Sequence, residues 1–210
     1  MRMAVVVSCL CCFSCVSIRM TREAEMPAGD PNPQAEEAYA LLLERHTAEK
    51  TLLDGFNTHA VVAATLEQAE FAKARIERTG ALRAWPAEKI QTEWAQESQR
   101  LEGVTEFFVG LQAASRSHND LDVRDSIWQL SLRVGEEVYF PNSIRRVGRS
   151  TLDMRSLYPH MGLAWVGYRV QFPVVLTPPF RVSFVMASVL GKAEFFYSTL
   201  QGPMETRVSP

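Results

Sequence analysis

Trp165-Val166-Gly167-Tyr168-Arg169-Val170-Gln171-Phe172 is the stretch on which the fold turns. Val166, Tyr168, Val170 and Phe172 fall on one face of an extended chain, Gly167, Arg169 and Gln171 on the other, and Pro173 ends the run. Strict alternation marks a half-buried strand, because successive side chains of extended backbone point to opposite faces. Upstream, Ser126 to Val134 alternates in the same way, with Trp128, Leu130, Leu132 and Val134 set against Gln129, Ser131 and Arg133. Further short strands are predicted at Val104 to Leu111, Val138 to Phe140 and Ser143 to Val147, the last two around the Pro141-Asn142 break. Arg181 to Ser188 and Ala193 to Ser198 complete the set, separated by a turn at Leu190-Gly191-Lys192. Short strands separated by turn residues at this spacing predict an antiparallel sandwich.

The N-terminal side of these strands reads differently. Ala35 to about Glu49 is rich in Ala, Leu and Glu, and places Ala38, Leu41, Leu42 and Arg45 on one helical face. Thr51 to Thr65 carries β-branched residues and a break at Asp54-Gly55, which favours a strand and leaves a continued helix open. Leu66 to Arg78 returns to helical spacing, with Leu66, Ala69, Ala72 and Ile76 aligned and Gly80 as its expected stop. A second helix is predicted after Trp85, with Pro86 at its first position, Ile90, Trp94 and Leu101 as a buried stripe, and Gly103 at its end. The fold class expected is α+β: an antiparallel β-sandwich with an N-terminal helix and an inserted helical pair. No internal repeat is evident.

Composition narrows the function classes. The chain has 210 residues, enough to bury roughly 70% of its extended surface as one domain. Its 22 Lys and Arg against 24 Asp and Glu give no reason to expect nucleic acid as a partner. All four cysteines, Cys9, Cys11, Cys12 and Cys15, lie in the first fifteen residues. A cysteine-free body excludes thiolate zinc, iron–sulfur clusters and a disulfide scaffold, and no cofactor is expected.

Arg2 precedes an uncharged run from Met3 to Ile18, closed by Arg19. That run falls short of the ~20 apolar residues of a membrane-crossing helix. It fits a secretory signal of one positive residue, an apolar core (MAVVVSCLCCFS) and a small residue, Ser14, before Cys15. The arrangement resembles a bacterial lipoprotein signal peptide, in which the residue after the cut is a cysteine that receives a diacylglycerol. The resemblance covers only these first residues. Phe13 is bulkier, and Cys12 stands where leucine is usual. It implies lipid attachment at Cys15, with Cys12 as the alternative. Val16 stands at the second mature position, where aspartate would imply retention at the inner membrane, and its not being aspartate implies the outer membrane. A plain secretory signal, giving a periplasmic or secreted protein, and a non-cleaved anchor or β-prone N-terminal strand stay open.

The organisation expected is a signal peptide at residues 1–14, a flexible tether at 15–33, one α+β domain at 34–200 and a disordered tail at 201–210. The tether expectation rests on Pro27, Pro31 and Pro33 within seven residues.

Motifs for chemistry are sparse. His46, His59, His118 and His160 make no H-x-x-x-H pair, and no G-x-S-x-G, Walker loop or G-x-G-x-x-G occurs. The densest polar cluster, Ser117 to Asp125, offers Asn119, Asp120, Asp122 and Asp125 as hard oxygen ligands for calcium. The same residues suit a turn that satisfies its own backbone, with Arg124 neutralising a carboxylate. Tyr158-Pro159-His160 is a conceivable proton-transfer pair, or a turn whose tyrosine packs the sandwich edge and whose histidine is solvated. Phe107, Phe108, Trp128, Tyr139, Phe140, Trp165, Tyr168 and Phe172 suit a core or a ligand pocket. Arg145, Arg146 and Arg149 form a basic patch, suited to an anionic lipid or glycan or to guarding a strand edge.

Together these features predict a non-enzymatic envelope lipoprotein: a β-sandwich interaction module, tethered by an N-terminal lipid, with the membrane and another envelope protein as partners. A calcium-dependent or small-ligand-binding periplasmic protein, and a hydrolase with a non-sequential active site, are the alternatives.

Overall fold

The computed structural model describes residues 29–199. The signal peptide at 1–14, Cys12 and Cys15, most of the tether and the tail at 201–210 lie outside the described residues. The described part is α+β, with an N-terminal helix and a helical pair on a β-sandwich of two antiparallel sheets.

Helix α1 (Pro33–His46) starts where Asn32 accepts the Gln34 N–H at 3.1 Å and Pro33 takes the first turn. It thus enters the residues expected to close the tether. The expectation of a single element over Thr51 to Thr65 gives way to a hairpin, β1 (Thr47–Asp54) and β2 (Asn57–Leu66), turned at Gly55 with φ +58°. Only glycine adopts that left-handed backbone freely.

The helical pair is inserted between β2 and β3. Helix α2 (Ala69–Leu82) begins three residues later than its sequence pattern suggested, because Leu66 belongs to the strand. It also continues through Gly80 rather than stopping there. Gly80 is a point of close approach: a Cβ on it would meet Ile90 Cδ1 at 2.6 Å. Helix α3 (Ala87–Leu101) follows, with Pro86 as its N-cap residue and Gly103 beyond its end at φ +76°. Ile90, Trp94 and Leu101 are half-buried rather than a buried stripe, and α3 holds no buried residue. The reason is position: α3 packs on α2 at the outside of the molecule.

The chain then runs through β3 (Thr105–Ala113), a 3-10 turn at Arg116–His118, β4 (Gln129–Val134), β5 (Glu137–Tyr139) and β6 (Ser143–Arg149). A short helix the sequence did not signal, α4 (Leu152–Leu157), is capped by the Thr151 hydroxyl. Strands β7 (Val166–Phe172), β8 (Arg181–Ser188) and β9 (Gly191–Ser198) end the described chain. One sheet has the order β1-β2-β3-β7-β6 and the other β5-β4-β8-β9.

Two cores result. Between the sheets lie Phe107, Leu132, Tyr168, Phe172, Phe184 and Phe195, all at most 1% exposed. The Tyr197 hydroxyl crosses this layer and donates to the Ala64 carbonyl of the opposite sheet at 2.6 Å. On the outer face of the five-stranded sheet, Tyr39, Leu42, Phe71, Phe108, Met154 and Tyr158 form the second core under the helices. Strand β3 is sandwiched between them, so nearly every residue of it is buried and no alternation shows.

Candidate functional site

Two clusters of charged side chains stand out. The first lies where the inserted helices meet the outer face of the five-stranded sheet. Glu67, just past β2, and Glu106, in β3, have side chains with no exposure, and their backbones are joined by the Glu67 N–H to Glu106 carbonyl bond of 2.9 Å. Arg75 of α2 reaches Glu67 at 3.2 Å and also pairs with Glu97 of α3. Arg169 of β7 reaches Glu106 at 2.7 Å and Glu97 at 3.6 Å. Arg100 of α3 pairs with Glu97 at 2.7 Å and with Glu106. Gln171 Nε2 donates to Glu106 at 2.8 Å, and the Tyr158 hydroxyl donates to Glu67 at 2.5 Å.

Three carboxylates therefore face three guanidiniums, and the cluster closes electrically. Burial alone would raise the Glu97 pKa, but the hydrogen bonds from Arg100 and the charges of Arg75 and Arg169 outweigh it and hold the carboxyl at about 2. Arg75 is held well above its ordinary value: burial works against its charge, and Glu67 and Glu97 overcome that effect. Glu97 stays ionised across the neutral range, so the cluster acts as a clamp that fixes the helical pair to the sheet. Of these residues the sequence pattern marked only Tyr158, as half of a proton-transfer pair, and Arg169 and Gln171, as the polar face of a strand; Glu67, Arg75, Glu97 and Arg100 drew no notice. Glu106 inside an apolar run was the one further signal available.

The second cluster sits at the end of the sandwich where β3 and β6 finish and β7 begins. Register places it: Leu111 pairs with Val166, and Val166 pairs with Arg149. A cleft of about 410 Å³ opens there, with Arg116, Arg146, Arg149, Asn119 and Gln112 among its polar lining and Leu163, Ala164 and Val166 on its apolar side. Arg146 is braced, donating to the Asn119 carbonyl at 3.4 Å and lying 4.0 Å from Asp122. It also lies over the Tyr168 ring at 5.9 Å. Burial, more than any neighbouring charge, pushes the Tyr168 hydroxyl up to about 12.

The basic patch read from sequence is thus split and extended. Arg146 and Arg149 line the cleft, Arg145 does not, and Arg116 of the 3-10 turn joins them. The calcium candidates separate. Asn119 is buried and its Oδ1 accepts the Ala113 N–H at 2.9 Å, Asp120 accepts from the Ser126 hydroxyl at 3.1 Å, and Asp122 faces Arg146. Asp125 is exposed. Among the described residues no three His, Cys, Asp or Glu side chains gather as a metal ion requires.

Tyr158 and His160 are neighbours, with ring centroids 6.1 Å apart, yet they serve different roles. Tyr158 packs in the helix-side core, stacked 3.8 Å from Phe108, rather than at the sandwich edge. His160 is half-buried rather than solvated, and its Nε2 is shut off from solvent. Burial lowers its pKa to about 4, and its Nε2 has no hydrogen-bond partner among the described residues. Of the aromatics, Phe107, Phe108, Trp128, Trp165, Tyr168 and Phe172 are core, Tyr139 is half-buried and Phe140 is exposed.

No protein-family model matches the chain, and searches of curated proteins and of solved structures found no match.

Proposed function

We propose that the chain is a non-enzymatic lipoprotein of the cell envelope, attached through Cys15 (or Cys12) to the outer membrane, with its sandwich as a binding and interaction module. The observation that supports this is the asymmetry of the sequence. Every cysteine lies within fifteen residues of the start, behind Arg2 and a short apolar run, and none occurs in the body. A lipidated cysteine is the chemistry that such a segment resembles, and the several acyl chains that this resemblance implies would anchor the protein firmly where one alone gives only marginal binding. Among the described residues no helix is long and apolar enough to cross a membrane.

The test is the mass of the mature N-terminus after expression in a bacterial host. The reading expects a mature chain that starts at Cys15 or Cys12, carries the added mass of acyl chains, and accumulates as precursor under globomycin. Replacement of both cysteines (Cys12→Ser with Cys15→Ser) is expected to abolish the acyl mass and release the protein from the membrane fraction. A mature chain starting elsewhere with an unmodified thiol would end the proposal.

A further inference from the structure

The arginine cleft has the makings of a ligand site that the anchoring role does not use. Its lining contains three guanidiniums and no carboxylate. Arg146 has a weak counter-charge in Asp122 at 4.0 Å, whereas Arg116 and Arg149 have no acidic partner among the described residues. Like charges brought to one hollow repel, and an anion seated among them relieves that repulsion while accepting charge-assisted hydrogen bonds.

One position is braced: Arg146 rests on the Asn119 carbonyl at 3.4 Å and the Tyr168 ring at 5.9 Å, and Asn119 itself is only 7% exposed. Because the Asn119 Oδ1 is occupied by the Ala113 N–H, its Nδ2 is left to donate. Beside these donors Leu163 stands 62% exposed, an apolar side chain without a packing role, next to Ala164 and Val166. The volume, about 410 Å³, suits a small molecule, since such sites run from roughly 300 to 1,000 Å³.

We propose that this cleft binds an organic oxyanion: a phosphate or carboxylate head held by Arg116, Arg146 and Arg149, joined to an apolar body that covers Leu163 and Ala164. Guanidinium forks match both heads bidentately, which a lysine would not do. The chemistry is shared by a lipid headgroup and by a soluble metabolite. It does not depend on the lipid anchor, which is tested separately by the N-terminal mass.

Calorimetric titration of the full chain with hexyl phosphate, hexanoate and inorganic phosphate tests the site. Hexyl phosphate or hexanoate is expected to bind more tightly than inorganic phosphate, which lacks an apolar body. Arg116→Ala and Arg149→Ala are each expected to weaken binding about tenfold, as loss of a charged hydrogen bond does. Both side chains are exposed, so an unchanged melting temperature shows that the fold survives. Leu163→Ser is expected to weaken hexyl phosphate and leave inorganic phosphate unaffected. Sedimentation with phosphatidylcholine vesicles, with and without phosphatidic acid, then separates the sources. Binding that requires phosphatidic acid and is lost in the arginine variants assigns a lipid headgroup, whereas hexyl phosphate binding without vesicle binding assigns a soluble ligand. If neither hexyl phosphate nor hexanoate binds, or the double arginine variant binds them as the parent does, the site does not exist.

Discussion

The Tyr158 hydroxyl donates a 2.5 Å hydrogen bond to Glu67 Oε1, joining two residues 91 apart in sequence. Each is buried, and the second Glu67 oxygen accepts from Arg75 Nε at 3.2 Å. Burial first, and the charge of Glu67 second, hold the tyrosine hydroxyl well above its ordinary pKa, so it is a permanent donor. Tyr158→Phe keeps the ring on Phe108 and strips one partner from a carboxylate that water cannot reach. The expected loss is about 1–3 kcal/mol of stability, read from urea unfolding. A neutral result would mean that Glu67 needs only Arg75.

The same cluster predicts a contrast between two arginines. Arg169 is 19% exposed and holds Glu106, whose side chain has no exposure at all. Arg169→Met would leave that carboxylate leaning on Arg100 and Gln171, at an expected cost of roughly 3–5 kcal/mol. Arg83 pairs with Asp153 at 2.7 Å, but the two side chains are 49% and 74% exposed. Arg83→Met is expected to cost under about 1 kcal/mol, because solvent screens such a pair. Urea midpoints at an unchanged slope would measure both. Equal losses would contradict the clamp.

Acid should destabilise the protein in two successive windows that overlap slightly near pH 4. His160 has its pKa lowered from 6.5 to about 4 by burial. Between these values the unfolded chain binds a proton that the folded chain refuses. The stability tied to His160 is therefore complete above about pH 6.5 and is lost as the pH falls through 4. The full span amounts to about 3 kcal/mol. Glu97 is lowered from 4.5 to about 2, so its contribution is complete above pH 4.5 and is lost on approach to 2. Melting temperature against pH should show the first limb flattened in His160→Gln and the second flattened in Glu97→Gln. A His160→Gln profile that still bends between pH 6.5 and 4 would assign that limb to other groups.

The sandwich was legible because β4 and β7 each keep one face in the inter-sheet core, which is what alternation records. Leu130 and Leu132 are at most 3% exposed, and Tyr168, Val170 and Phe172 have no exposure. Strand β3 hid its pairing, since a strand covered on both faces reads as a plain apolar run. Helix α4, six residues capped by Thr151, is too short for periodicity to register. The cleft was half legible: Arg146 and Arg149 showed as a basic patch, but Arg116 lies thirty residues before Arg146 and joins them only through the β3–β7–β6 register. Asn119 drew notice as a calcium ligand for its oxygen, and that oxygen is spent on a backbone N–H. No local pattern could reveal which partner it takes.

Gly110 and Gly167 sit directly opposite each other in β3 and β7, and the space they leave is filled from the helix side. A Cβ on Gly167 would meet Phe108 Cζ at 2.9 Å and Met154 Sδ at 3.1 Å, while one on Gly110 would meet Trp165 Cε3 at 2.9 Å. The obstacle is crowding rather than backbone strain, because neither glycine has a positive φ. Gly167→Ala is expected to cost about 1–3 kcal/mol, the usual penalty for overpacking a filled layer. Phe108→Leu removes the ring that the new methyl would strike. In the double variant the Gly167→Ala penalty should shrink, giving a coupling of about 0.5–3 kcal/mol between the two positions. Unfolding free energies of the two single variants and the double would measure it. Strictly additive losses would show that the methyl is accommodated elsewhere, and that Phe108 does not set the size limit at Gly167.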